Sequence, residues 1–157
     1  MFISHTVSRI LEDRDVDYEV KSHEKTFTSQ ESAEAAHISG DAVAKGVLLK
    51  SGEDFWMAVV PATHSVDELG LATMLGVEQL DLAEEDELAF VFRDCELGAI
   101  PPVGHAYGIE TIVDSALLAQ PRLWFEAGNH EHLIGLGASD FRRLMAGCPR
   151  APISQHN

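Results

Sequence analysis

The residues best suited to chemistry lie in four places. Lys45 stands alone between Ala44 and Gly46 at the mouth of an apolar run. A lysine there is either a strand-end cation reaching solvent or an ammonium at a pocket rim, paired with an anionic or carbonyl oxygen. Gly98-Ala99-Ile100-Pro101-Pro102-Val103-Gly104 is the most unusual segment. Its prolines fix the path, and its glycines let backbone N–H groups approach a ligand with no Cβ in the way. Such donors suit an oxyanion, because they need no rearrangement during reaction. The same residues also describe a rigid connection, and both readings stand.

His130-Glu131-His132 places two imidazoles at i and i+2, on one face of a strand. A metal site needs a third ligand, and no HxxxH or CxxC spacing supplies one, so no metal is expected. One histidine orienting a substrate hydroxyl or a water fits better, beside the reading of two exposed strand-end residues. Cys95 reads as a small buried hydrophobe rather than a nucleophile. Its nearest candidate base, His105, lies across the proline loop. GxSxG, P-loop and GxGxxG patterns are absent, which leaves serine-hydrolase and nucleotide chemistry without local support.

These residues need elements to hold them. Ile3, Val7, Ile10 and Leu11 form one apolar stripe of a first helix. A short strand follows at Tyr18–Val20. Thr28 and Glu31 have capping-box spacing before an alanine-rich helix that ends at Ser39-Gly40-Asp41. Val47–Lys50 and Phe55–Val60 flank the turn Ser51-Gly52-Glu53-Asp54 and read as a hairpin. Both strands are apolar with little alternation, which predicts cover on both faces. Ser65 and Glu68 predict another capped helix, burying Leu69, Ala72 and Leu75 and stopping at Gly76. Four acids at 84–87 precede Leu88, Val91 and Phe92, where they complement a helix dipole. Strands are predicted at Glu110–Val113, Leu123–Glu126 and His132–Gly135. Ser139 is placed to cap a last helix carrying Phe141, Leu144 and Met145, stopped by Gly147 and Pro149. The order predicts an α+β fold: one compact domain over residues 1–157, a curved, mixed, mostly antiparallel sheet and flanking helices.

Composition sets outer bounds. The chain has 157 residues, 45% hydrophobic and 24% charged, which suits a globular core. No apolar run approaches a membrane span of ~20 residues, and the first residues lack a signal-peptide pattern. Two cysteines without motif spacing fit a reducing, cytoplasmic setting. The net charge is −15, and residues 51–100 carry 12 acids against one base. Such a surface repels phosphate, so DNA and sustained nucleic-acid binding are not expected; brief contact with one RNA end is compatible.

Taken in order, His23 and Thr28, Ala44-Lys45, Val60-Pro61-Ala62, the Gly98–Gly104 loop, Val113-Asp114 and Ala127-Gly128-Asn129-His130 resemble the YbaK/prolyl-tRNA-editing domain family. These are aminoacyl-tRNA deacylases, also found inserted in bacterial prolyl-tRNA synthetases. The likeness runs from about Tyr18 to about Met145. It implies hydrolysis, in trans, of the ester joining a wrong amino acid to a tRNA 3′ end, with a small amino acid on proline tRNA as substrate. It implies Lys45, Gly98 and His130 as the catalytic group, with His132 competing for the histidine role. It implies His23, Thr28, Ala99, Ile100, Pro101, Pro102, Gly104 and Gly128 as substrate-binding positions. No cofactor is implied; the partners are the aminoacyl-tRNA 3′ end, weakly held, and a recruiting synthetase. Two departures bear on specificity: Gly46 stands where many members have a polar residue, and Ala127-Gly128 where many have two glycines. The alternative is a non-catalytic module binding an amino acid or small acyl compound in the same pocket.

Overall fold

The computed structural model describes residues 3–157; Met1 and Phe2 lie outside the described residues. Helix α1 (His5–Asp13) is capped by Ser4, whose side chain accepts from Val7 N, and it buries Val7, Ile10 and Leu11 as their spacing predicts. Strand β1 (Glu19–Ser22) follows. Helix α2 (Ser29–Ala35) begins at Thr28, whose hydroxyl accepts from Glu31 N. It stops earlier than expected: His37 takes a left-handed backbone (φ 59°), and Ser39 caps a separate 3-10 turn, Gly40–Ala42.

Strands β2 (Ala44–Ser51) and β3 (Asp54–Pro61) form the expected hairpin. Met57 and Val59 enter one core with Phe92, Val103, Phe125 and Phe141. Trp56, Ala58 and Val60 enter a second with Leu71, Leu80 and Ile153. Cover on both faces is therefore what removed the polar alternation. Each fully buried Val, Leu, Ile or Phe contributes about 1.5–3 kcal/mol.

Beyond β3 the chain forms β4 (His64–Val66), α3 (Glu68–Leu75), β5 (Asp81–Leu82) and α4 (Glu85–Val91). The cap of α3 is Asp67, which accepts from Gly70 N; Ser65 is occupied in β4. Leu69 is 82% exposed and Leu71 takes its place, while Ala72 is buried and Leu75 packs against the second core as expected. In α4 the acids do what their position suggests: Glu84 and Glu87 close a reciprocal capping box.

Strands β6 (Glu110–Asp114), β7 (Arg122–Glu126) and β8 (His132–Gly137) stand where expected. Helix α5 (Ala138–Leu144) starts from Gly137 without a side-chain cap, so Ser139 lies inside the helix and is not its cap. Strands β9 (Arg150–Ala151) and β10 (Ser154–His156) complete the chain. The ladders are β5-β2-β3-β6-β9, β1-β8-β7 and β10-β4. Five pairings are antiparallel, and β3–β6 and β6–β9 are parallel. A bridge between Val43 and Trp124 joins the two larger ladders. The α+β class follows. No helix among the described residues is long and apolar enough to cross a membrane.

Candidate active site

The start of β2, the N-terminus of α2 and the loop at 97–104 meet around a cavity of about 480 Å³. Among the described residues, Lys45 is its only charged lining side chain. The ammonium donates to Ala62 O at 3.4 Å, a long bond, and has no carboxylate partner among the described residues. Partial burial pulls its pKa below the usual lysine value. In a chain of net charge −15 this is an unspent cation in a mostly apolar hollow.

Gly98 and Ile100 line the same cavity. Gly98 holds φ +84°, and a Cβ there would lie 2.4 Å from Phe27 O. Only glycine fits both the backbone angle and the contact. Ala99 N–H is taken by Glu96 O at 3.1 Å, whereas Gly98 N–H and Ile100 N–H have no protein acceptor among the described residues. Pro101 and Pro102 are buried and have no N–H to offer. Gly46 is needed for another reason: a Cβ would press on Met57 and lie 3.2 Å from Pro101 O, so the strand and the proline loop meet at closest approach there. The register with β3 turns the Gly46 N–H and C=O outward, as for Leu48, whose carbonyl accepts from Ala83 N.

The structure brings Lys45, Thr28, Gly98 and Ile100 together on one cavity. It leaves the other expected positions off its wall. Ala99, Pro101, Pro102 and Gly104 are buried behind it. Gly128 is buried too: its N–H donates to Ala99 O and its carbonyl accepts from Glu96 N, which ties the loop to the chain after β7. His130, expected to touch substrate or water, is 3% exposed and sits behind Gly98. Its Nε2–H donates to Leu97 O at 2.5 Å, and its Nδ1 is buried without a partner among the described residues. His132 instead donates to Asn129 Oδ1 at 3.0 Å. His23 lies in the strap that runs to α2; its Nδ1–H donates to Glu24 O, and its backbone N–H to Glu131 O.

Phe27, 70% exposed at the mouth, Leu82, Leu88 and Asn157 also line the cavity and were not foreseen. Phe27 adjoins a predicted cap, but nothing in the sequence marks it as exposed. Glu126 was also missed as a support. It is 1% exposed, accepts from Ser32 Oγ at 2.5 Å, and Ser32 is bonded to Thr26 at 2.6 Å, so it anchors α2 behind the cavity. Burial pushes its pKa up to about 7 despite the Ser32 bond.

Cys95 and His105 do not form a nucleophile–base pair. Cys95 contacts Tyr107 and Asp94, and His105 Nε2–H donates to Leu144 O. Burial pushes the thiol up to about 12, away from thiolate chemistry.

The model of the aminoacyl-tRNA editing domain family matches residues 23–144, most of the chain. The proline–tRNA ligase of Bacillus subtilis (strain 168) is 27% identical over 121 residues, covering 74% of this chain and 21% of the ligase. That of Bacillus cytotoxicus is 29% identical over 75 residues, covering 48% of this chain and 13% of the ligase. The chain thus spans about a fifth or less of the curated relatives it matches. A crystal structure described as a candidate trans-editing enzyme for prolyl tRNA synthetase superposes with a TM-score of 0.80 at 22% identity, covering 97% of this chain and 96% of that one. A hypothetical protein of known structure gives 0.83 at 19%, covering 96% and 100%. At these identities the superpositions establish the fold.

Proposed function

The chain belongs to the aminoacyl-tRNA editing domain family, and from that premise we propose that it hydrolyses, in trans, the ester linking a small amino acid to the 3′ end of proline tRNA. One observation carries the reading: an unpaired lysine faces a cavity whose loop offers two idle backbone N–H groups.

An aminoacyl ester is already activated, so no covalent nucleophile is needed. Water forms the new bond to the ester carbonyl carbon. The bond from that carbon to the ribose oxygen breaks, and a proton from the water ends on the ribose oxygen. In this reading Gly98 N–H and Ile100 N–H, which belong to the cavity loop and have no protein acceptor among the described residues, hold the oxyanion; one such donor is typically worth about 3 kcal/mol. Lys45 anchors the terminal phosphate or ribose and adds positive potential. Phe27 offers an exposed ring on which the terminal base can stack. His130 acts as a positioning residue, because its bond to Leu97 O fixes the peptide that leads into Gly98. Cavity size limits the amino acid, rejecting large side chains far better than near-isosteres. The reading needs no metal at the reacting ester, since water, amides and the lysine suffice.

The acidity of the chain favours weak contact with the acceptor end alone, and binding that weakens with salt. The test is deacylation of Ala-, Ser-, Cys- and Pro-charged proline tRNA, with Lys45→Ala as control. Rapid loss of one ester, absent in the folded variant, is expected. No loss of any ester by the folded protein overturns the reading and favours ligand binding without hydrolysis.

A further inference from the structure

His64 on β4 and His156 on β10 lie directly opposite one another in the antiparallel pair. Their rings meet edge to face, 5.2 Å between centroids. Asp41, in the 3-10 turn before β2, closes the group, and one ligand atom from each residue lies within 4.8 Å of the others.

The hydrogen bonds set both tautomers. Ser154 Oγ donates to Asp114, so His64 Nδ1 must be the donor in its 2.8 Å bond to Ser154. His156 Nδ1 faces the carbonyl of Asn157 at 2.9 Å and must also donate. Each neutral ring therefore carries its lone pair on Nε2. His156 Nε2 stands 3.3 Å from Asp41 Oδ1, which also accepts from Thr63 Oγ1 at 2.5 Å; with the ring neutral, two acceptors face each other there. Something positive belongs between them: a proton or a cation. Two imidazoles oriented through Nδ1 by oxygen acceptors, plus one carboxylate, form a donor set suited to zinc. The His156 Nε2–Asp41 Oδ1 separation of 3.3 Å fits as well. In a tetrahedral site with bonds of about 2.0–2.1 Å, neighbouring ligands stand about 3.3 Å apart.

We propose that Asp41, His64 and His156 bind a divalent first-row transition ion of the zinc class, with water completing the shell, and that this ion fastens the C-terminal strand to the cavity rim. The link to the rim is short. Asn157 lines the cavity and donates to Thr63 O at 2.9 Å, and the neighbouring Ala62 carbonyl accepts from Lys45. Asp41 and His64 lie within residues 23–144 and His156 beyond them, so the third ligand comes from outside the part that matches the family model. It uses none of the atoms assigned to hydrolysis.

The test is calorimetric titration of the chelator-treated full chain with zinc chloride, alongside thermal unfolding. One zinc per chain is expected, with a Tm raised by about 5–10 °C at zinc a hundredfold above Kd. His156→Ala removes an exposed side chain and Asp41→Asn is nearly isosteric, so both variants should fold without metal. Each should weaken zinc binding by at least about tenfold and lose the Tm rise. Lys45→Ala should lose deacylation and keep its zinc. No zinc uptake at millimolar concentration would identify a proton-held ion pair and overturn the site. Unchanged affinity in both ligand variants would place the zinc elsewhere and overturn it equally.

Discussion

Two polar clusters adjoin the same stretch of chain, residues 94–100, and they differ in how fully their groups are used. In the first, Asp94 accepts from Ser4 Oγ at 2.7 Å, Thr6 N–H at 3.1 Å and Tyr107 OH at 2.8 Å. Cys95 leans on the same tyrosine, whose ring packs edge-on against Phe92. Burial alone would raise the Asp94 pKa, but these hydrogen bonds outweigh it and hold the carboxyl well below the usual range. In the second, Lys45 has one long bond, and Gly98 and Ile100 keep their N–H groups unspent. The satisfied cluster is richer in reactive residue types, yet it is a latch between α1 and the loop. The cluster with idle donors beside the cavity is the one proposed to receive the ligand. Unspent hydrogen-bonding capacity beside a cavity is a better guide to a site than the presence of a cysteine and an aspartate.

The comparison breaks most directly at Lys45. Lys45→Ala should lower single-turnover deacylation by about 100-fold or more, with circular dichroism unchanged. A folded, fully active variant would remove the lysine from the mechanism. Gly98→Ala comes next. Its Cβ has no room beside Phe27 O, so the loop must shift; about 100-fold loss in kcat is expected, with a lower Tm.

His130→Ala should reduce kcat by up to about 100-fold, because Leu97 O loses its donor. His130→Gln, which can still present an N–H, should recover part of that loss; a catalytic imidazole would not be rescued this way. Glu126→Gln sharpens the role of the wall behind the cavity. The folded pKa of Glu126 is raised to about 7, so its stabilising contribution is complete below the ordinary value near 4.5 and is lost as pH rises through 7. Wild-type stability should fall by roughly 3 kcal/mol between pH 5 and 8 from this group, and the glutamine variant should flatten that slope in urea unfolding.

The smallest effects belong to the latch. Asp94→Asn should cost about 1 kcal/mol and leave deacylation unchanged. The Asp94 pKa is lowered on folding, so its contribution is present above the ordinary carboxylate pKa and fades as the solution is acidified below it. The wild-type advantage over the variant should shrink in acid. Cys95→Ser should leave kcat and KM where they are. A large activity loss in either variant would merge the two clusters into one site.

Much of this molecule was legible from local chemistry. The apolar runs of β2 and β3, the acids before α4, the cap at Thr28 and the stripe of α1 each follow from short-range rules that a neighbour cannot easily override. Caps were less secure where two candidates competed. Asp67 displaced Ser65 because pairing with β10 claimed the serine's strand; Ala72 and Leu75 keep the expected face, and Leu69, in the first turn, is exposed. Lys45 and Gly98 could be named from type and context, since a lone lysine on an apolar strand and a glycine–proline loop are unusual wherever they fold.

Only tertiary structure decided which named residues face the cavity. His130 and Gly98 are adjacent in space, yet one lines the hollow and the other braces it, a difference set by the 2.5 Å bond to Leu97 O. The Asp41–His64–His156 group has no spacing motif at all, because a short turn and two facing strands bring its members together. Local sequence determines what a residue can offer and which element carries it. Long-range packing determines which offers are taken up inside the protein and which remain for a ligand.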